Sequence, residues 1–154
     1  METPNAHIVE VLNDLIAINN DRVKGYERAL KELKNEDMDL KPLFLSMIDE
    51  SRDINITLGR EVEVYKGEID TDTSTRGKLY MAWMSIKAAF TGNDRHTLLE
   101  NCEVAEDAAQ QAYQRVIDAA TLPEYLLEMI YDQQQSLRVS HNEIKVFRDN
   151  AVHA

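Results

Sequence analysis

Apolar residues recur every three to four positions along four long stretches of the chain, the spacing that puts them on one face of an α-helix. Five glycines and three prolines are few for 154 residues, and most of them fall between these stretches. This punctuation is typical of an all-α protein. The inward positions of the four predicted helices are Ile8, Val11, Leu12, Leu15, Ile18, Tyr26, Leu30 and Leu33; Phe44, Met47, Ile48, Ile54, Leu58, Val62 and Tyr65; Leu98, Cys102, Ala105, Ala109, Ala112, Tyr113 and Val116; and Leu126, Ile130, Leu137, Ile144 and Phe147.

Residues that start and stop helices flank these stretches. Helix one is expected to end near Lys34, before a turn over 35–39 that is rich in capping residues. Pro42 then lies in the first turn of helix two, where its missing N–H is tolerated. Asp94 is the predicted cap of helix three, and Pro123 marks the start of helix four.

Residues 67–93 are the longest interruption of this pattern. The interruption begins with threonine and aspartate, but Leu79 to Phe90 regains helical spacing, with Trp83 on its apolar side. We expect a short fifth helix there, lying across the bundle and anchored by Trp83. The links within helices one–two and three–four are short, so each pair is predicted to be antiparallel, and the long link joins the pairs as a crossover.

Composition limits the domain count and the classes of partner. With 154 residues and 44% hydrophobic content, the chain is predicted to form one domain over 1–154 with one core. Acidic residues outnumber basic ones 28 to 17, a net charge of −11, so neither nucleic acid nor an anionic membrane surface is an expected partner. The single cysteine, Cys102, cannot form an intramolecular disulfide, and no signal pattern or apolar run of about 18 residues is present. A cytoplasmic protein is the resulting expectation.

Several polar residues fall on the apolar stripes or on their flanks when each helix is drawn at about 100° per residue. Buried polar groups cost about 1–3 kcal/mol each unless they are paired, so these residues are predicted to meet in a shared polar layer at mid-bundle. The predicted layer consists of Asn19, Arg22, Ser51, Arg52, Asn55, Glu106, Gln134, Arg138 and His141. Within it, Glu106 is expected to pair with Arg138 or Arg22.

The run AWMSIKAAFTGND followed by LLENCEVAEDAAQQAY resembles the ferritin-like four-helix bundles. Within that superfamily it is similar to a group of bacterial proteins classed only as a domain of unknown function. The resemblance covers nearly the whole chain and implies a ferritin-like bundle with one crossover. It also implies a metal centre in which each helix pair supplies one glutamate, often seven residues before a tyrosine, and one Glu-x-x-His motif.

This chain departs from that metal-binding pattern. Glu106 lies seven residues before Tyr113 and so matches the glutamate of that pattern. In helix one, Asn19 stands where the corresponding glutamate would be. Taking His141 as the histidine of helix four puts Arg138 at the glutamate position, and the frame in helix two places Arg52 there. Iron or manganese at such a centre needs about four carboxylates and two imidazoles, so a degenerate site without a metal cofactor is expected.

A shifted frame gathers more carboxylates around Glu106 and His141. It would use Glu27, Glu50, Asp53 and Glu103, all of which the helical wheel places on the surface. These six residues are the candidate ligands if a metal is bound.

Two functions therefore follow from the sequence. The first is a non-catalytic bundle that binds a protein partner or assembles with itself, in a stress response as the resemblance implies. The alternative is an iron or manganese oxidase, peroxide scavenger or iron-handling protein. No Gly-rich phosphate loop, Ser/His/Asp arrangement or nucleophile elbow supports hydrolase or nucleotide chemistry.

Overall fold

The structure, a computed structural model, describes residues 4–69, 79–80 and 94–151. The helices are α1 (Pro4–Glu32), a 3-10 helix (Asn35–Leu40), α2 (Lys41–Val64), α3 (Arg95–Ala119) and α4 (Glu124–Asn150). The predicted all-α four-helix bundle is confirmed, with α1 ending slightly before the predicted boundary. In this part of the chain no helix has a stretch apolar enough to cross a membrane.

The helix ends follow the local chemistry of the sequence. Asp94 caps α3, because its carboxylate accepts the Thr97 backbone N–H at 2.9 Å and the Thr97 hydroxyl at 3.0 Å. These hydrogen bonds hold the pKa of Asp94 below its usual value. Pro42 lies in the first turn of α2 and Pro123 immediately precedes α4, as predicted.

Hydrogen bonds between the helices define their directions. In α1 and α2, residues 13 and 22 contact residues 68 and 51, so the two helices are antiparallel. In α3 and α4, residues 103 and 110 contact residues 148 and 134, so this pair is antiparallel as well. Residues 7 and 22 contact residues 121 and 106, so the chain from α1 to α3 also reverses. Consequently α2 and α3 run parallel.

Parallel neighbours require a connection that returns along the bundle. The Tyr65 hydroxyl lies 2.7 Å from that of Tyr125 at one end of the molecule, whereas Arg95 binds Asp39 at 2.8 Å at the other. The connection between α2 and α3 therefore runs about 36 Å, the length of the 24-residue α2. This confirms the predicted long crossover. Leu79 and Tyr80 within it are helical and Tyr80 is buried, but residues 81–90 of the expected helix, including Trp83, lie outside the described residues.

The core consists of two apolar clusters with polar residues between them. One cluster surrounds Tyr26 and Phe44, and the other surrounds Leu12 and Leu58. Every residue from Leu12 to Asn19 is buried, so α1 is enclosed on all sides at this level.

The turn that ends α2 packs against the first half of α1. Lys66 adopts a left-handed conformation with φ of 60°, and the Gly67 N–H bonds the Val62 carbonyl at 2.9 Å, which closes the helix end. A Cβ built on Gly67 would lie 2.6 Å from both methyl carbons of Val9, so a larger residue there would require Val9 to shift. The chain thus has its glycine at the crowded position and a lysine at the strained one.

Replacing Lys66 with glycine is expected to stabilise the protein. Removing the Cβ relieves the strain of the left-handed conformation, whereas the greater freedom of glycine in the unfolded chain opposes folding. The strain is the larger of the two effects, so we expect the free energy of unfolding to rise by about 0.5–1 kcal/mol. Urea denaturation of the wild type, Lys66→Gly and Lys66→Ala measures this. Lys66→Ala keeps the Cβ and should show no gain; an equal gain in both variants would contradict the explanation.

Candidate functional site

Arg22 lies at the centre of the bundle with its side chain fully buried. Its Nε donates to Glu106 Oε2 at 2.7 Å and its Nη2 to Glu106 Oε1 at 2.7 Å. This two-point geometry is the strongest form of an arginine–carboxylate pair, because both parallel bonds are charge-assisted. Glu106 is itself only 2% exposed, so α1 and α3 are joined by a buried ion pair.

The remaining N–H groups of Arg22 are directed at α2. Nη1 donates to the Met47 carbonyl oxygen at 3.1 Å and to Ser51 Oγ at 2.8 Å. Nη2 donates to Met47 Sδ at 3.2 Å and lies 3.0 Å from Glu50 Oε1. All five donors of the guanidinium therefore face acceptors. Burial alone would lower the pKa of Arg22, but the Glu106 carboxylate more than offsets this and raises it, so the charge is fixed.

Glu50 extends the ion pair to α4. Its two carboxylate oxygens accept hydrogen bonds from the hydroxyls of Ser136 and Ser140. Glu50 is partly buried, with 17% of its side chain exposed, so the surface position that the helical wheel predicted for it is wrong. The two carboxylates on Arg22 thus come from two helices, and the polar layer touches all four.

A directed chain of hydrogen bonds leads outward from Arg22. Arginine can only donate hydrogen bonds, so the Ser51 hydroxyl must accept from Arg22. The same hydroxyl donates its own hydrogen bond to Asn19 Oδ1 at 2.9 Å. Asn19 Nδ2 then donates to the Tyr113 hydroxyl at 3.1 Å, and Tyr113 donates to Gln133 Oε1 at 3.0 Å. Burial raises the pKa of Tyr113, which keeps that donor protonated.

The last member, Gln133, ends the chain with an unused donor. Because its oxygen is taken by Tyr113, the orientation of the amide is fixed, and its Nε2 is buried without a hydrogen-bond partner among the described residues. Gln133 is 8% exposed. Sequence reasoning missed this residue, although it and Ser140 continue a three–four spacing of buried positions: Ile130, Gln133, Leu137, Ser140 and Ile144.

The sequence-predicted layer is divided by the structure. Asn19, Arg22, Ser51 and Glu106 lie in the Arg22 network described above. Gln134 is buried but bonds Gln114 at 2.9 Å on the α3–α4 seam, so it belongs to a separate network. Asn55 is half-buried and bonds Asn20 at 2.9 Å on the α1–α2 seam.

Two arginines were wrongly assigned to this layer. Arg138 is exposed, because it lies beside the buried row through Leu137 and points outward. Arg52 is exposed as well, with a pair to Glu27 at 3.5 Å on the surface. Of the two partners expected for Glu106, Arg22 is therefore confirmed and Arg138 is wrong.

A second group of ionisable residues lies on the α3–α4 seam. One ligand atom each from Glu103, Asp107 and His141 lie within 4.8 Å of one another. Glu103 is also paired with Arg148, and His141 with Asp107. His141 is thus grouped with Glu103 and not with Glu106, whose oxygens bind Arg22. Glu103 is partly buried, which corrects its predicted surface position, while Glu27 and Asp53 are exposed as predicted.

Fold and site together define an all-α four-helix bundle with an ion-paired polar layer. Residues 7–119 match the model of a family described as "Domain of unknown function (DUF2383)", and the chain belongs to that family. The match spans α1 to α3, including Arg22 and Glu106, whereas Gln133 lies beyond it. No curated protein matches the chain.

Breaking the buried pair on one side should cost more than removing both partners. Arg22→Met or Glu106→Leu alone leaves an unpaired buried charge and is expected to lower the free energy of unfolding by about 3–5 kcal/mol. The double variant removes the charge with the pair and should recover much of that loss. Urea denaturation of all four proteins completes the cycle.

Exposed arginines provide the control for this cycle. Arg52→Met and Arg138→Met should each change stability by less than about 1 kcal/mol, as surface charges do. A double variant less stable than both single variants would show that the pair itself, and not the unpaired charge, dominates.

Proposed function

We propose that the chain is a non-catalytic ferritin-like bundle, in which an arginine ion pair stands where di-metal relatives hold their metal ions, and that it works by binding a protein partner. The single observation that carries this proposal is the environment of Arg22.

In di-metal bundles, carboxylates from facing helices converge on cations at mid-bundle. Here the carboxylates of Glu106 and Glu50 converge on a guanidinium instead. Both oxygens of Glu106 are engaged by Arg22, and a fixed positive charge at this place repels a divalent cation. The parallel α2 and α3 with their long connection are the further reason to class the bundle as ferritin-like.

The distribution of exposed apolar residues favours a binding role. Among the residues described, seven of the ten large exposed apolar side chains lie on α2 and α4, and none lies on α1. We call this surface the α2–α4 face; its apolar residues are Leu45, Ile56, Val64, Tyr125, Tyr131, Val139 and Val146. Exposed apolar side chains of this size are candidate contacts for a protein partner.

Metal analysis tests the central part of the proposal. Protein prepared without a tag should contain far less than one iron or manganese ion per chain and should not turn over Fe(II) under air. About two irons per chain with turnover would replace this proposal with the oxidase or iron-handling alternative.

Removing the guanidinium provides the complementary test. Arg22→Ala leaves Glu50 and Glu106 facing an emptied space, so added Mn²⁺ should raise the melting temperature of this variant and not that of the wild type. Arg138→Ala is the matched control, because it removes an exposed arginine. No difference between the two variants would argue against a cation position at Arg22.

A second candidate function rests on the grouping of Glu103, Asp107 and His141. Two carboxylates and an imidazole within 4.8 Å are a donor set that suits a divalent transition metal. If this site binds metal, calorimetry should detect about one Zn²⁺ per chain. Binding should be lost in His141→Ala and kept in His96→Ala, a change of another histidine on a helix surface.

A further inference from the structure

A groove between α2 and α4 opens on the α2–α4 face beside the end of the hydrogen-bond chain. It has a volume of about 500 Å³, with Ile54 and Met129 among its lining residues and the carboxylates of Asp53, Glu128 and Asp132 around it. Gln133 lines it too, and no lysine or arginine is among the described residues that do. A ligand entering this groove meets negative charge, some apolar surface and one buried amide.

The buried amide sets a requirement on the ligand. The chain of donors that starts at Arg22 forces Gln133 to keep its oxygen for Tyr113, which leaves Nε2 as an unused donor. A buried donor without a partner costs about 1–3 kcal/mol, so a ligand that supplies an acceptor gains from this position. The ligand must therefore carry a hydrogen-bond acceptor as well as positive charge.

The spacing of the carboxylates indicates the shape of the ligand. A second depression, of about 340 Å³, shares Glu128 and Asp132 with the groove and adds Glu124. These three residues recur every fourth position on α4, about 6 Å apart along its axis. Alternate side chains of an extended peptide are about 6.6–6.8 Å apart, so basic residues at every second position match this row.

We infer that the α2–α4 groove binds an extended segment of a partner protein with lysine or arginine at alternate positions, one backbone carbonyl of which accepts a hydrogen bond from Gln133 Nε2. This inference rests on the proposed binding role and names the chemistry of the partner. The net charge of −11 favours such a partner at long range as well.

The test uses two blocked peptides of equal composition, Lys-Ala-Lys-Ala-Lys and Lys-Lys-Lys-Ala-Ala, titrated into the wild-type protein and followed by NMR. The alternating peptide should bind several-fold more tightly, with shifts at Gln133 and along α4. Equal affinity of the two peptides would overturn the inference, since only overall charge would then matter.

Charge-matched variants localise the binding. Glu128→Gln with Asp132→Asn should weaken binding of the alternating peptide about tenfold, because two exposed ion pairs are lost. Glu143→Gln, an exposed change on the same helix outside the groove, should have little effect. If Glu143→Gln together with Glu100→Gln weakens binding as much as the groove pair does, the groove is not the site.

Gln133→Glu separates a peptide from a small polyamine. The new carboxylate still accepts from Tyr113 but offers no donor, so the peptide should bind more weakly while spermine, which has no acceptor, should bind more tightly. Tighter binding of both ligands would overturn the assignment of a peptide. The exposed Glu128 and Asp132 variants keep the test decisive if this core variant does not fold.

Sedimentation and metal analysis of the same samples complete the experiment. A dimer that the Glu128 and Asp132 changes dissociate, with no peptide bound, would make a second copy of the chain the occupant and overturn the inference. About two irons per chain in the wild type, together with tight binding of the alternating peptide, would contradict the proposed centre at Arg22 and leave the groove assignment standing.

Discussion

The buried guanidinium of Arg22 is the constraint on which the interior depends. An arginine taken out of water must present its five N–H groups to acceptors, and here α2 and α3 supply them through two carboxylates, a hydroxyl and a backbone carbonyl. Transferring such a charge from water costs several kcal/mol, so the pair with Glu106 is weak evidence for stability. The pair does determine how the helices are placed along the bundle axis. Every N–H group of Arg22 finds an acceptor only if α1, α2 and α3 meet at the same level.

A donor-only residue at the centre also orders what lies around it. Ser51, Asn19 and Tyr113 each accept on the side nearer Arg22 and donate on the side away from it. The direction of the whole chain is thus fixed by one side chain that cannot reverse its role. Its far end is the buried Nε2 of Gln133, a residue that lines the α2–α4 groove, so the chemistry of the interior limits what this groove can recognise.

Most of the fold could be predicted because its signals are local. Asp94 and Pro42 act within one turn, and the length of the stretch 67–93 is enough to require a crossover. The error at Arg138 has a physical cause. The spacing from His141 selected Arg138, but a residue that directly follows the buried Leu137 lies about 100° around α4 from the buried row and faces solvent.

The sequence left two candidate partners for Glu106, Arg22 and Arg138, because both fall on or beside the inward faces of their helices. Choosing among them requires the axial offset of α1 against α3, which the long connection and the packing of the two apolar clusters determine together. The same holds for Glu50 and Glu103, which become partly buried only because a neighbouring helix covers one side of each.

The arrangement of these contacts also has a kinetic consequence. The links within α1–α2 and α3–α4 are short, so each hairpin closes a small loop, whereas Arg22 and Glu106 are 84 positions apart. Arg22 meets Met47, Glu50 and Ser51 within the first hairpin, but its contact with Glu106 forms only when the second hairpin packs against the first. Complete burial of the guanidinium therefore depends on this long-range contact, and the pair should affect the rate of folding more than its net contribution to stability suggests.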